Sequence, residues 1–247
     1  MNDKKFVSAD LLKWIALVTM FIDHIGAGIL EMCYMPDLIG IDMIIRSIGR
    51  IAFPIYCFLL VEGYKYTRSK WKYALNLLIF AFISELPFDY LFSLGVSFKY
   101  QNVYFTLLFG MLAMMIAGEI EKRDIPAGIL LEILVVIPIA YIAYLFNTDY
   151  DAWGVLLIFI IFLVRNKPRW VVCISATVFV VLTTLVGPIS HFIHMSSLEA
   201  IGIISFVLIF FYNGKRSGKI NKYVFYSLYP IHIAVYCGIR YLLMIYR

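Results

Sequence analysis

Residues 11–30 read LLKWIALVTMFIDHIGAGIL, from Leu11 to Leu30. A helix of about 20 apolar residues is long enough to cross the roughly 30 Å hydrocarbon core of a bilayer. This run therefore predicts a membrane-spanning helix, with one anomaly: the pair Asp23-His24 lies inside it. A titratable side chain at membrane depth is costly, and by default it marks a functional site. Working back from His24, the first basic residue of the run is Lys13. In a helix that spacing amounts to three turns plus about 20°, so both side chains share a face, roughly 16 Å apart along the axis. One face thus carries a cation near one membrane surface and an imidazole deep inside.

The rest of the chain has the same character. Of 247 residues, 63% are hydrophobic and only 15% charged, against about a quarter charged in a soluble domain. Mean hydropathy is +0.88. Apolar runs recur over roughly 9–31, 40–64, 71–91, 100–118, 126–146, 150–165, 169–187, 197–213 and 222–245. These predict an all-α polytopic membrane protein of about nine spans, forming a single domain over 1–247. Alternating ten-residue segments are absent, which excludes a β-barrel. The opening MNDKKFVSAD is followed by a long apolar run without a small-residue cleavage site, so the first helix is expected to be retained. Cys33, Cys57, Cys173 and Cys237 lie in or beside apolar runs and read as small buried hydrophobes.

The net charge of +5 is carried mainly in loops and sets topology, not nucleic-acid binding. Most of the 21 Lys and Arg residues fall on one side of a nine-span arrangement: Lys4 and Lys5, then Lys65, Arg68, Lys70 and Lys72, then Lys122 and Arg123, then Arg165, Lys167 and Arg169, and finally Lys215, Arg216, Lys219 and Lys222. The positive-inside rule then puts the N-terminus in the cytoplasm and the C-terminus outside.

This topology gives depth to the polar residues within spans. Counted from the cytoplasmic ends at 1.5 Å per residue, His24, Arg50, Glu85, Thr106 and His232 all lie roughly 15–22 Å up. Such groups face the bundle interior and pair, or line a wet cavity. Each also has a structural explanation. Arg50 and Glu85 suit a simple ion pair. His232 follows Pro230 and can bond backbone groups that the proline frees. Asn102, Thr106 and Gly110 form an i, i+4, i+8 stripe suited to helix packing. Asp23 points about 100° away from its neighbour His24 and need not orient it. His191 and His194, in the loop after the seventh run, have no carboxylate or cysteine placed to complete a metal site, so no metal is expected.

Several segments resemble the TraX family of bacterial membrane proteins. They are Lys13-Trp-Ile-Ala-Leu-Val-Thr-Met-Phe-Ile-Asp-His-Ile-Gly26, Ile48-Gly-Arg-Ile-Ala-Phe-Pro-Ile-Tyr56, Glu62-Gly-Tyr-Lys-Tyr-Thr-Arg68 and Ser84-Glu-Leu-Pro-Phe-Asp89, then Phe211-Tyr-Asn-Gly-Lys-Arg216 and Phe225-Tyr-Ser-Leu-Tyr-Pro-Ile-His232. The motifs run in family order over nearly the whole chain, while about 115–200 is generic apolar sequence. The resemblance, to a family with a pilin N-acetylase among its members, implies acetyl transfer in the membrane with acetyl-CoA as donor. A wider similarity is to acyltransferase-3-type membrane acyltransferases, whose Arg-x10-His element has the spacing of Lys13 and His24. Lysine in place of arginine keeps the charge and loses the bidentate fork.

On that resemblance, the expected enzyme is an acetyltransferase of the bacterial cytoplasmic (inner) membrane. His24 acts as base or relay, with Asp23, Arg50, Glu85 and His232 as its catalytic neighbours. Lys13, Arg46, Lys65, Arg68, Lys215 and Arg216 are the basic donor-site residues; Glu62 orients a base or pairs with Arg50; Asn102 or Tyr229, or Arg50 itself, stabilises an oxyanion. The acceptor, a pilin-like peptide amine or a glycan hydroxyl, approaches from outside. A transporter and a non-catalytic pilus or secretion assembly protein are the competing readings. The two halves of the chain share no motif, which weighs against a repeat-built transporter.

Overall fold

The computed structural model describes residues 6–186, 198–215 and 221–246. Its elements are helical: α1 (Ala9–Ile25), α2 (Ile39–Gly49), α3 (Ala52–Tyr66), α4 (Lys70–Ser93), α5 (Val103–Glu121), α6 (Gly128–Leu145), α7 (Asp151–Leu163), α8 (Arg169–Val186), α9 (Ile204–Phe210) and α10 (Lys222–Ile245). Among the described residues the only β features are two isolated bridges. Seven segments are long and apolar enough to cross a membrane: Ala9–Glu31, Pro36–Tyr66, Lys70–Ser93, Val103–Glu121, Gly128–Leu145, Arg169–Val186 and Tyr223–Ile245. The chain is a multi-pass membrane protein.

The other two expected spans are shorter helices, Asp151–Leu163 and Glu199–Phe210. The first has 13 residues, roughly 20 Å, short of a bilayer core. The apolar runs at 150–165 and 197–213 overstate these helices because loop residues at their ends are apolar too.

The described residues pack as two compact units interleaved in sequence: 1–56 with 83–97 and 197–247, and 57–82 with 98–196. In the first unit, the Ser8 side chain accepts a hydrogen bond from Leu11 N (3.2 Å) and caps α1. Asp10 lies in the first turn, where the helix dipole favours a carboxylate. The buried face of α1 comprises Leu12, Ala16, Leu17, Met20 and His24, at helical spacing, while Trp14 and Val18 face outward. Just after His24 the winding loosens into a π-helical turn, Gly26–Glu31. Gly49 makes the approach of α2 possible, since a Cβ there would lie 2.2 Å from Asp23 Cβ. The start of α1 is tied to the chain after α9 by Val7 N to Phe211 O (3.2 Å), Asn213 N to Val7 O (2.9 Å) and Ala9 N to Lys215 O (3.1 Å).

The second unit is built around α7, whose Trp153, Leu157, Ile158 and Phe162 are buried where it packs on α5, α6 and α8. Gly110 of α5 leaves room for Ile158, whose Cδ1 would be 2.3 Å from an added Cβ. α6 instead leaves Ile129, Leu130, Leu134 and Ile137 exposed, a surface suited to lipid.

Candidate functional site

The first unit gathers buried polar groups of α1, the end of α2, the second half of α4, and α10. At its centre are two imidazoles. His24 Nδ1 lies 2.6 Å from His232 Nε2, with ring planes 5° from parallel. The residues are 7% and 6% exposed, so water does not compete for this bond. His232 Nδ1 lies 2.9 Å from the Leu228 carbonyl oxygen. A carbonyl only accepts, so His232 Nδ1 carries its proton and Nε2 is left as an acceptor. With both rings neutral, His24 Nδ1–H donates to His232, and His24 Nε2 keeps its lone pair. The wire thus has a direction, and it leaves one basic nitrogen on His24.

Aromatic rings enclose the pair. Phe21 lies against His232 at 4.3 Å between ring centroids, Tyr229 is 6.0 Å from His24, and Phe92 is 6.1 Å from it. The expected link between His232 and Pro230 takes a different form. Proline at 230 frees the carbonyl of Tyr226, four residues earlier, whereas His232 bonds Leu228.

Asp23 turns away from the imidazoles into a chain of charges. Its Oδ2 accepts from Arg46 Nη1 (2.6 Å) and its Oδ1 from Arg50 Nη2 (3.0 Å). Arg46 Nε reaches Glu31 (3.0 Å), and Arg50 Nη1 reaches Glu199 (3.2 Å). Three carboxylates and two guanidinia alternate, so the buried and half-buried charges Asp23, Arg46 and Arg50 each have opposite neighbours, with exposed Glu31 at one end. The π-helical turn carries Glu31 at its end, and such turns are frequent at functional sites. The sequence reading did not single out Glu31 or Glu199. Both lie within the apolar runs at 9–31 and 197–213, so taking every carboxylate inside a run, as for Asp23, would have found them.

The remaining expected residues fall as follows. Glu85 is buried in the part of α4 that belongs to this unit. Lys13 pairs with Asp10 (2.9 Å) and stands over the Phe225 ring at 5.0 Å. Lys215 is exposed beside the start of α1. Arg216, like His191 and His194, lies outside the described residues. Glu62, Lys65, Arg68 and Asn102 belong to the second unit. There Glu62 is buried near Arg169 (3.8 Å), and Lys65 and Arg68 are exposed. Asn102 caps α5, accepting from Tyr104 N (3.1 Å) and donating to the Ala81 carbonyl (2.8 Å). With Thr106 accepting from Tyr150 N (3.4 Å) and Gly110 against Ile158, the stripe at 102, 106 and 110 holds helices together.

The ordered pair His24 and His232 lies within a chain whose residues 8–240 match the family model described as TraX protein. The chain belongs to the TraX family. A TraX-family relative from Dichelobacter nodosus is named "Probable fimbrial assembly protein FimC, serogroup H1"; it is 30% identical over 249 residues, covering 94% of this chain and 96% of the relative. No solved structure matches the chain. The TraX match spans both units, so it includes the imidazole pair and the charge chain of the first as well as the apolar core of the second.

Proposed function

We propose that this TraX-family protein is a membrane-embedded acetyltransferase that moves an acetyl group from cytosolic acetyl-CoA to an amine or hydroxyl at or beyond the outer face of the bacterial inner membrane. The observation that carries the reading is the directed imidazole pair, which leaves Nε2 of buried His24 as a base. An acceptor nitrogen or oxygen attacks the thioester carbonyl and the carbon–sulfur bond breaks. His24 Nε2 takes the acceptor's proton and delivers it to the departing CoA thiolate. His232 holds His24 in the required tautomer. Of the oxyanion donors considered, Arg50 is engaged by Asp23 and Glu199, and Asn102 by Ala81. We assign that role to buried Tyr229, whose ring centroid lies 6.0 Å from that of His24.

In this reading all nine apolar segments count towards the topology, with the N-terminus cytoplasmic and the C-terminus outside. Lys13 and Lys215, near the start of α1, then face cytosolic acetyl-CoA. The Lys13–Asp10 pair is partly exposed, so exchanging Asp10 for a phosphate costs little. His24 is about 16 Å further along the same helix face, a distance the pantetheine arm can span. The name of the Dichelobacter nodosus relative favours a second reading, a non-catalytic role in fimbrial assembly.

The test is incorporation of radiolabelled acetyl from acetyl-CoA into cell-envelope fractions by the full-length reconstituted protein. Wild type labels an acceptor. His24→Ala loses at least about 100-fold of that activity, the lower end of general-base contributions, while keeping its thermal midpoint. Undiminished labelling by His24→Ala sinks the mechanism. Absence of labelling by wild type, with His24→Ala supporting normal fimbriation, favours the assembly role.

A further inference from the structure

Arg240 is the exception among the buried and half-buried arginines of the described residues. Arg46, Arg50, Arg165 and Arg169 each meet a carboxylate. Arg240, on α10, is 5% exposed, yet no carboxylate of the described residues lies within the 4.0 Å of an ion pair. Asp3 is the one carboxylate side chain outside those residues, ahead of α1. Nη1 of Arg240 donates to the carbonyl of Leu91, in the last turn of α4, where carbonyls lack helical partners. That carbonyl supplies only part of a unit charge. Nε is buried without a hydrogen-bond partner. The guanidinium therefore keeps its Nε/Nη2 edge, the fork that fits a carboxylate or phosphate with two parallel bonds. A buried cation lacking a counter-charge is costly, and within a span it marks a ligand site.

We propose that Arg240 is the centre of a binding site for a compact oxyanion, a phosphate or carboxylate group, held on the Nε/Nη2 edge while Nη1 stays on Leu91. The site is distinct from the imidazole pair. Arg240 follows His232 by two helical turns plus about 80°, roughly 12 Å along α10. The oxyanion comes either from a soluble ligand or from a phospholipid headgroup.

The test uses the full chain, purified and delipidated in a neutral detergent. Sodium phosphate and sodium acetate are each titrated against sodium chloride at matched ionic strength while the thermal midpoint is followed. A parallel arm adds short-chain phosphatidylglycerol without free oxyanion. Wild type is expected to gain several degrees, saturably, over the chloride control. Stabilisation in the first arm assigns a soluble source, and stabilisation in the lipid arm alone assigns a headgroup. Arg240→Gln should weaken the apparent affinity at least tenfold, and Arg240→Lys, which keeps the charge without the fork, should fall between. A wild type that responds to neither arm overturns the site, as does a Gln variant that responds like wild type. If the Gln variant does not fold, the Lys variant decides, and a response equal to that of wild type overturns the fork.

Discussion

The two compact units differ in how many ionisable groups they bury. Among the described residues the first buries His24, Arg50, Glu85, Asp89, His232 and Arg240; the second buries Glu62 and Glu132 and centres on α7, where Trp153, Leu157, Ile158 and Phe162 pack on apolar neighbours. Inside a bilayer the apolar arrangement brings little hydrophobic drive, because lipid tails are as apolar as leucine, so packing must hold it. The polar arrangement is costly unless every charge is matched. A chain that keeps costly groups in one unit and none of comparable density in the core of the other separates chemistry from scaffold.

The sharpest way to break this comparison is to unbalance the charge chain. Asp23→Asn removes the carboxylate shared by Arg46 and Arg50. Removing one partner of a buried pair costs about 3–5 kcal/mol. Thermal or denaturant unfolding in detergent should show a loss of that size, and the double variant Asp23→Asn with Arg50→Gln should recover part of it. A loss below about 1 kcal/mol, the level of an exposed pair, would mean that the chain of charges is hydrated and the contrast between the units is false.

Much of this difference was legible in the sequence. The apolar runs gave the helices, because a segment in lipid must satisfy its own backbone. The depth rule placed His24, Arg50, Glu85, Thr106 and His232 among buried groups; all five are buried, Thr106 in the second unit and the other four in the first. Their pairing was not legible. His24 and His232 are separated by 208 positions, and no periodicity links residues on the first and last helices. Asp23 meets Arg46 and Arg50 because Gly49 lets α2 approach α1, which composition does not reveal. The lengths of the helices Asp151–Leu163 and Glu199–Phe210 were less legible, because apolar loop residues extend the hydropathic runs beyond the helix ends. Asn102 was read both as packing and as an oxyanion donor, and its capping role depends on the position of the Ala81 carbonyl.

A smaller effect is expected from a cavity in the scaffold. Leu157 is fully buried in α7. In a water-soluble core Leu→Ala costs about 2–5 kcal/mol, a transfer term plus a cavity term. Here the transfer term is largely absent if the unfolded helices stay in lipid, so Leu157→Ala should fall below that range in bicelle unfolding experiments. It should leave the His24-dependent labelling at wild-type level. Lost labelling in a folded variant would show that the apolar unit tunes the site and is more than a scaffold.

The smallest effect tests a buried side-chain hydrogen bond between α7 and α8. Trp153 Nε1 donates to Thr183 Oγ1 at 2.9 Å. The threonine hydroxyl also lies within hydrogen-bonding distance of the Phe179 and Val180 carbonyls, at 2.8 and 3.0 Å, so removing the indole does not strand it. Trp153→Phe keeps an aromatic ring against Phe179 and deletes the donor. Interhelical side-chain hydrogen bonds in membranes average about 0.6 kcal/mol, because the unfolded helices find other partners. The variant should therefore lose roughly that much, read as a small shift of the unfolding midpoint. A loss comparable to that of Asp23→Asn would mean that one polar contact, and not packing, holds α7 against α8, and would remove the reason for treating the two interiors as different kinds of core.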